Sequence, residues 1–175
     1  MHKRLSLLYG DLTTMKVDAI VCSADENLTE GGPVHRAVHA AAGPELAQEV
    51  RLIGRCPVGG AKLSRGHKLA ARYVIHTVVP TWMDGGHGEG DALASCYRNV
   101  LALASAKGFR TIALPSLGSG SQPQIPLAKA APIAIHTILD YLNSHPMPEH
   151  ISLVCIESAT YKAHLDVLRA QEDEV

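Results

Sequence analysis

Aromatic side chains are scarce. One Trp, one Phe and five Tyr in 175 residues leave few candidates for a site that grips a ligand by stacking on a ring. An excess of charge of one sign is missing as well: sixteen Lys and Arg stand against seventeen Asp and Glu, for a formal net charge of -1. That balance argues against a basic face for nucleic acid or anionic lipid, so neither nucleic acid nor membrane is expected as a partner. Apolar runs stay far below the ~20 residues needed to cross a bilayer. The opening MHKRLSLLYGD meets an acid too early for a secretory signal, and the expected location is cytoplasmic. No C-x-x-C pair occurs: Cys22, Cys56, Cys96 and Cys155 are scattered, which predicts reduced thiols rather than a disulfide frame or a zinc knuckle. Repeats, low-complexity tracts and dividing linkers are absent too, so residues 1–175 are expected to form a single domain.

What the chain does have is a core. Hydrophobic residues make up 46% of it, enough for one domain without disulfides or metal. Val- and Ile-rich clusters at 5–9, 18–22, 73–79, 111–115 and 151–156 read as buried strands, with AKLSRG at 61–66 as a further short one. Segments of helical period lie between them at 34–42, 45–52, 91–106, 127–142 and 160–171. Such alternation predicts an α/β chain, a three-layer α/β/α sandwich around a mixed central sheet. Pro132 falls inside the fourth helical segment, and because proline disrupts a helix interior, the true start is predicted near Pro132 after a lengthened loop.

Ligands of such sheets gather at the carboxyl ends of strands, and three loops there stand out. They are GDLTT at 10–14, SADENLTEGGP at 23–33 and PSLGSGSQPQIP at 115–126. The last two combine glycines with a following helix start, where backbone N–H groups can hold phosphate; two such loops suggest a diphosphate. Taken alone, Asp11 is as well explained as a cap on Thr13 and Thr14. His35 and His39 have the spacing of a two-histidine metal site, but no third ligand is evident nearby and no metal or cofactor is expected. The plainer role for His35 is a helix surface residue, and for Cys22 a buried thiol.

The strings GDLTTMKVDAIV, AVHAAAGPEL and CPVGGAKLSRGHKLAARYVIHTVVPTW, in that order, resemble the macrodomain family and within it the MacroD-type branch. The likeness runs from Leu5 to about Leu168. It implies a domain that binds ADP-ribose, free or attached to protein, and several members hydrolyse ADP-ribosyl esters or O-acetyl-ADP-ribose. By that resemblance Asp11 would accept the adenine amino proton with Leu12 beside the ring. Ser23, Ala24, Gly31, Gly32 and Val34 would line the first phosphate and ribose loop, Ser119, Gly120, Ser121 and Gln122 the second, and Ile156 would face adenine.

The chain departs from the family pattern where the chemistry is done. MacroD-type sequences read N-A-A-N, then glycines, then V-D-x-A-I-H; here Cys22-Ser23-Ala24-Asp25 replaces the first motif and Val34-His35 the start of the second. The inherited Asn and Asp are gone, and Asp25 and His35 stand in their places as candidate catalytic residues. A carboxylate at Asp25 accepts but does not donate, and it repels a nearby diphosphate. His35 has an ordinary pKa of ~6.5 and suits a general base or an anion contact. The second loop lacks the family's aromatics, and Ile156 replaces an aromatic near adenine, which removes a stacking contact worth ~1–3 kcal/mol. Three readings follow: an ADP-ribose binder with weak or no hydrolysis, a hydrolase using Asp25 and His35, or a diverged scaffold for another ligand or a protein partner.

Overall fold

A computed structural model describes residues 2–119 and 124–174. Six strands, β1 (Leu5–Tyr9), β2 (Ala19–Ser23), β3 (Ala61–Arg65), β4 (Tyr73–Thr77), β5 (Thr111–Pro115) and β6 (His150–Cys155), form one sheet in the order β1-β6-β5-β2-β4-β3. All neighbours are parallel except β3 and β4, so the sheet is mixed as predicted. The helices are α1 (Pro33–Ala42), α2 (Pro44–Ile53), α3 (Glu89–Ala106), α4 (Leu127–Ser144) and α5 (Ser158–Asp173), and a short 3-10 turn occupies Leu12–Thr14.

Alternation along the strands explains the three layers. In β2, Ala19 and Val21 join Leu93, Tyr97 and Ile135 of α3 and α4 together with Leu168 of α5 on one face. Ile20 and Cys22 join Val38, Ala42, Leu46 and Val50 of α1 and α2 on the other. A strand whose residues are buried on both faces must be apolar throughout, which is why AIVC shows no polar alternation. Gly43, at φ 90°, ends α1, and Pro44 opens α2 at once, using glycine's freedom and proline's fixed φ at adjoining positions.

The fourth helix corrects one expectation: α4 starts at Leu127, and Pro132 lies inside it. The Pro126 carbonyl accepts from Lys129 and Ala130 N–H, each at 2.9 Å, which anchors the first turn. Pro132 falls in the second turn, so only the single bond to the carbonyl four residues back is lost. Burial of Ala130, Ala131, Ala134, Ile135, Ile138 and Leu142 along the inner face offsets that loss.

The loop before α3 folds around a buried carboxylate. Glu89 Oε2 accepts from Met83, Asp84 and Gly85 N–H, and Oε1 from His87 N–H. Burial raises the Glu89 pKa, but the backbone donors of Met83, Gly85, Glu89 itself and His87 outweigh it and hold it at about 2. Asp84 and His87 lie close enough to share a cation with Glu89, yet the Glu89 oxygens already serve these amides, and the group is read as a loop clamp.

Candidate functional site

The carboxyl ends of β1, β2, β5 and β6 open onto two cavities separated by the start of α1. The first, about 80 Å³, is lined by Gly10, Asp11, Leu12 and Thr13 on one side and by Ser116, Ser119, Cys155, Ile156 and Thr160 on the other. The second, about 740 Å³, is lined by Ser23, Ala24, Asp25, Gly31, Gly32, His35 and Val79. Pro33, at the N-terminus of α1, lines both.

At the first cavity Asp11 is exposed, and its Oδ1 accepts from Thr13 N at 2.9 Å and Thr13 Oγ1 at 2.8 Å. Oδ2 has no partner among the described residues, so capping the turn and accepting a ligand N–H are compatible roles for one carboxylate. Leu12 is buried and forms part of the wall. Val34 lines this cavity rather than the second, and Ile156, 61% exposed, offers an aliphatic surface where an aromatic was absent from the sequence.

A buried hydrogen-bond chain that pattern reading missed runs beneath Ser119. His164 Nδ1–H donates to the Thr160 carbonyl at 2.7 Å, which leaves Nε2 to accept from the Ser116 hydroxyl at 3.1 Å. At the next residue, the Tyr97 hydroxyl accepts from Leu117 N–H at 2.9 Å. Helices α3 and α5 thus fix the first residues of the second glycine loop, and Gly118 at φ +88° turns it where a side chain would strike Ile125. Tyr97→Phe leaves the buried Leu117 N–H unpaired and is expected to cost about 1–3 kcal/mol in urea unfolding. An unchanged midpoint would show that this bond does not hold the loop. Gly120, Ser121 and Gln122, expected to line the same loop, lie outside the described residues.

Both candidate catalytic groups are engaged in holding the loop at 24–32. Asp25 Oδ1 accepts from Thr29 N at 2.9 Å and Glu30 N at 3.4 Å, with the Thr29 hydroxyl near both carboxylate oxygens. Leu28, left-handed at φ 62°, drives its side chain fully into the core and fixes the bend. His35 is not the surface residue expected from its place on α1, since it is 4% exposed. Its Nε2 lies 3.3 Å from the Thr29 carbonyl and its Nδ1 3.6 Å from Cys22 Sγ. The reason is register: Cys22 ends the buried face of β2 directly below the first turn of α1, and the imidazole fills the space above the thiol.

Two more histidines extend this polar cluster. His39 stacks on His35 with ring centroids 4.3 Å apart, and His76, opposite Cys22 on β4, bonds Ser64 Oγ at 2.8 Å. His39 Nε2 and His76 Nδ1 have no partner among the described residues. Burial, then His39 and His35, depress the His76 pKa to about 3, and burial raises the Cys22 thiol to about 12. Neutral imidazoles and a protonated thiol are structural groups, not an activated nucleophile.

Comparison with known proteins matches this geometry. Residues 21–134 match the Macro domain family model. An O-acetyl-ADP-ribose deacetylase of Salmonella newport is 40% identical over 178 residues, covering 99% of each chain. A macro domain-containing protein of Mesorhizobium japonicum is 41% identical over 167 residues, covering 95% of this chain and 94% of its own. Among solved structures, the Oceanobacillus iheyensis macrodomain with ADP superposes with a TM-score of 0.92 at 30% identity, over 98% of this chain and 93% of that one. The Trypanosoma brucei macrodomain in complex with ADP gives 0.87 at 32%, over 95% and 69%. With the predicted sheet and layers in place, two cavities side by side at the strand ends and these relatives across nearly the whole length, the chain belongs to the macrodomain family.

Proposed function

We propose that this macrodomain binds ADP-ribose, free or carried on a protein, and turns it over weakly or not at all. The observation that carries the reading is the pair of cavities on either side of Pro33, one with a carboxylate at its rim and the other under the Gly31-Gly32 loop. The first suits adenine, whose amino group Asp11 Oδ2 can accept, and the second suits the distal ribose. The diphosphate then crosses the N-terminus of α1, where the helix dipole and glycine amides favour an anion. Relatives named as deacetylases and relatives solved with ADP support the ligand class. Weak turnover follows from Asp25 and His35 being bound to the loop rather than poised over a reacting atom.

A cytosolic setting is part of the proposal. All four cysteines are free and buried, as suits a reducing compartment, and no helix among the described residues is long and apolar enough to cross a membrane. Calorimetric titration with ADP-ribose, ADP and AMP tests the function. Saturable binding, tightest for ADP-ribose, is the expected result. No heat and no thermal shift at millimolar ADP-ribose would sink the reading and favour a scaffold for another ligand.

A further inference from the structure

We propose that the hollow between α1 and α2 receives the protein that carries the ligand, with Arg36 and Arg51 binding a glutamate or aspartate that flanks the modified residue. The inference rests on ADP-ribose being the ligand, since the carrier is joined to its distal ribose.

Helical spacing builds the hollow. On α2, Ala47, Val50 and Arg51 fall three and four positions apart and share one face; His35, Arg36 and His39 of α1 form the opposite wall, and Leu28 and Thr29 complete it. Its volume is about 360 Å³. Leu28 and Val50 are buried beneath it, whereas Arg36 and Arg51 are exposed. An apolar floor under two guanidinium groups suits a side chain with a methylene stem and a carboxylate head. The stem covers the floor, and the planar donors of arginine can take both carboxylate oxygens.

No acid among the described residues fills that role. Neither Asp nor Glu lines the hollow, and neither guanidinium has an ion pair or hydrogen bond with a described residue. The nearby acids are engaged elsewhere. Glu26 pairs with Arg55 at 2.9 Å, Glu49 accepts from Arg65 N at 3.1 Å and lies 2.8 Å from His67 Nε2, and Asp25 accepts from Thr29 N at 2.9 Å. Glu30 lines the larger cavity instead. In a chain of formal net charge -1, two unpaired arginines over one apolar floor make a local excess of positive charge that fits an acidic partner. The hollow is also continuous with the place proposed for the distal ribose, because Thr29, His35 and Arg36 line both spaces. A peptide attached to that ribose leaves beside Arg36, which borders both, and reaches Arg51, which borders only the hollow.

The test is calorimetry at low salt with free ADP-ribose and with ADP-ribose joined through the same oxyamine linker to two peptides, one with Glu on each side of the attachment and one with Gln. Wild type should bind the Glu conjugate about fivefold tighter than the Gln conjugate, and the difference should vanish at about 1 M salt, where exposed charges are screened. Arg51→Glu should keep its affinity for free ADP-ribose, which also verifies the fold, and lose the preference for Glu. A third conjugate with Lys in place of Glu should then bind Arg51→Glu more tightly than it binds wild type. Equal affinity of wild type for the Glu and Gln conjugates, or a Glu preference that survives in Arg51→Glu, would overturn the docking site while leaving the ADP-ribose reading intact. If free ADP-ribose does not bind wild type, the ligand reading fails and the docking site fails with it.

Discussion

Replacing Asp25 by Asn and His35 by Asp together should raise hydrolysis of O-acetyl-ADP-ribose by about 10²-fold or more, read as acetate release. The expectation combines the family pattern with the positions of these two side chains. A MacroD-type site places an amide and a carboxylate where this chain has Asp25 and His35, and general acid–base groups contribute ~10²–10⁴-fold to such reactions. Here the Asp25 carboxylate is tied to Thr29 and Glu30, and the His35 ring points into the protein at Cys22 and Thr29. A carboxylate at position 35 lies in the first turn of α1, where the helix dipole favours it. It cannot donate to the Thr29 carbonyl, however, so the loop should loosen. The double variant is therefore expected to show a higher kcat together with a higher KM. Wild-type turnover already equal to that of the double variant would refute the account, because Asp25 and His35 would then be competent catalysts as they stand.

Gly31→Val should abolish tight ADP-ribose binding, weakening it by about 10²-fold or more while AMP stays within a few-fold. A Cβ at position 31 would lie 2.5 Å from the Ser23 carbonyl oxygen and 2.6 Å from His35 Cβ. The carbonyl cannot retreat, since Ser23 is the last residue of β2 and is held in register with Thr77 of β4. Nor can the imidazole, which is enclosed by Cys22, Thr29 and His39. The loop itself must lift, and with it the floor of the larger cavity. The nucleoside cavity is walled by the turn at Asp11 and the residues after β6, so AMP should scarcely notice. Calorimetry with both ligands, with circular dichroism to verify the fold, decides it; ADP-ribose affinity within a few-fold of wild type would mean that the glycine loop does not contact the distal ribose.

Much of the molecule was legible in the chain. Strands β1 and β5 fall on residues 5–9 and 111–115 as read, because buried parallel strands must be short, apolar and β-branched. Asp11, Gly31, Gly32, Ser119 and Ile156 line the cavities because loops at strand ends carry their signal in local residues, a turn acid and glycines. Pro132 misled, since local propensity predicts a break while the cost of one missing hydrogen bond is settled by how much apolar surface α4 buries. The bonds from Tyr97 to Leu117 and from His164 to Ser116 tie two helices to the loop after β5, and no spacing rule connects these residues.

By itself the sequence determined the order of elements, the mixed α/β layering and the location of the glycine-bearing loops that line the two cavities, all of which follow from periodicity and turn chemistry within short windows. It also showed that the family's Asn and Asp are absent. What the replacements do was decided only by tertiary structure. Whether His35 meets water or a thiol depends on Cys22 lying below α1, and whether Asp25 meets a ribose or two backbone amides depends on how the loop after β2 closes. Burial and hydrogen-bond partners come from elements distant in the chain, and those partners make the two residues supports of the site.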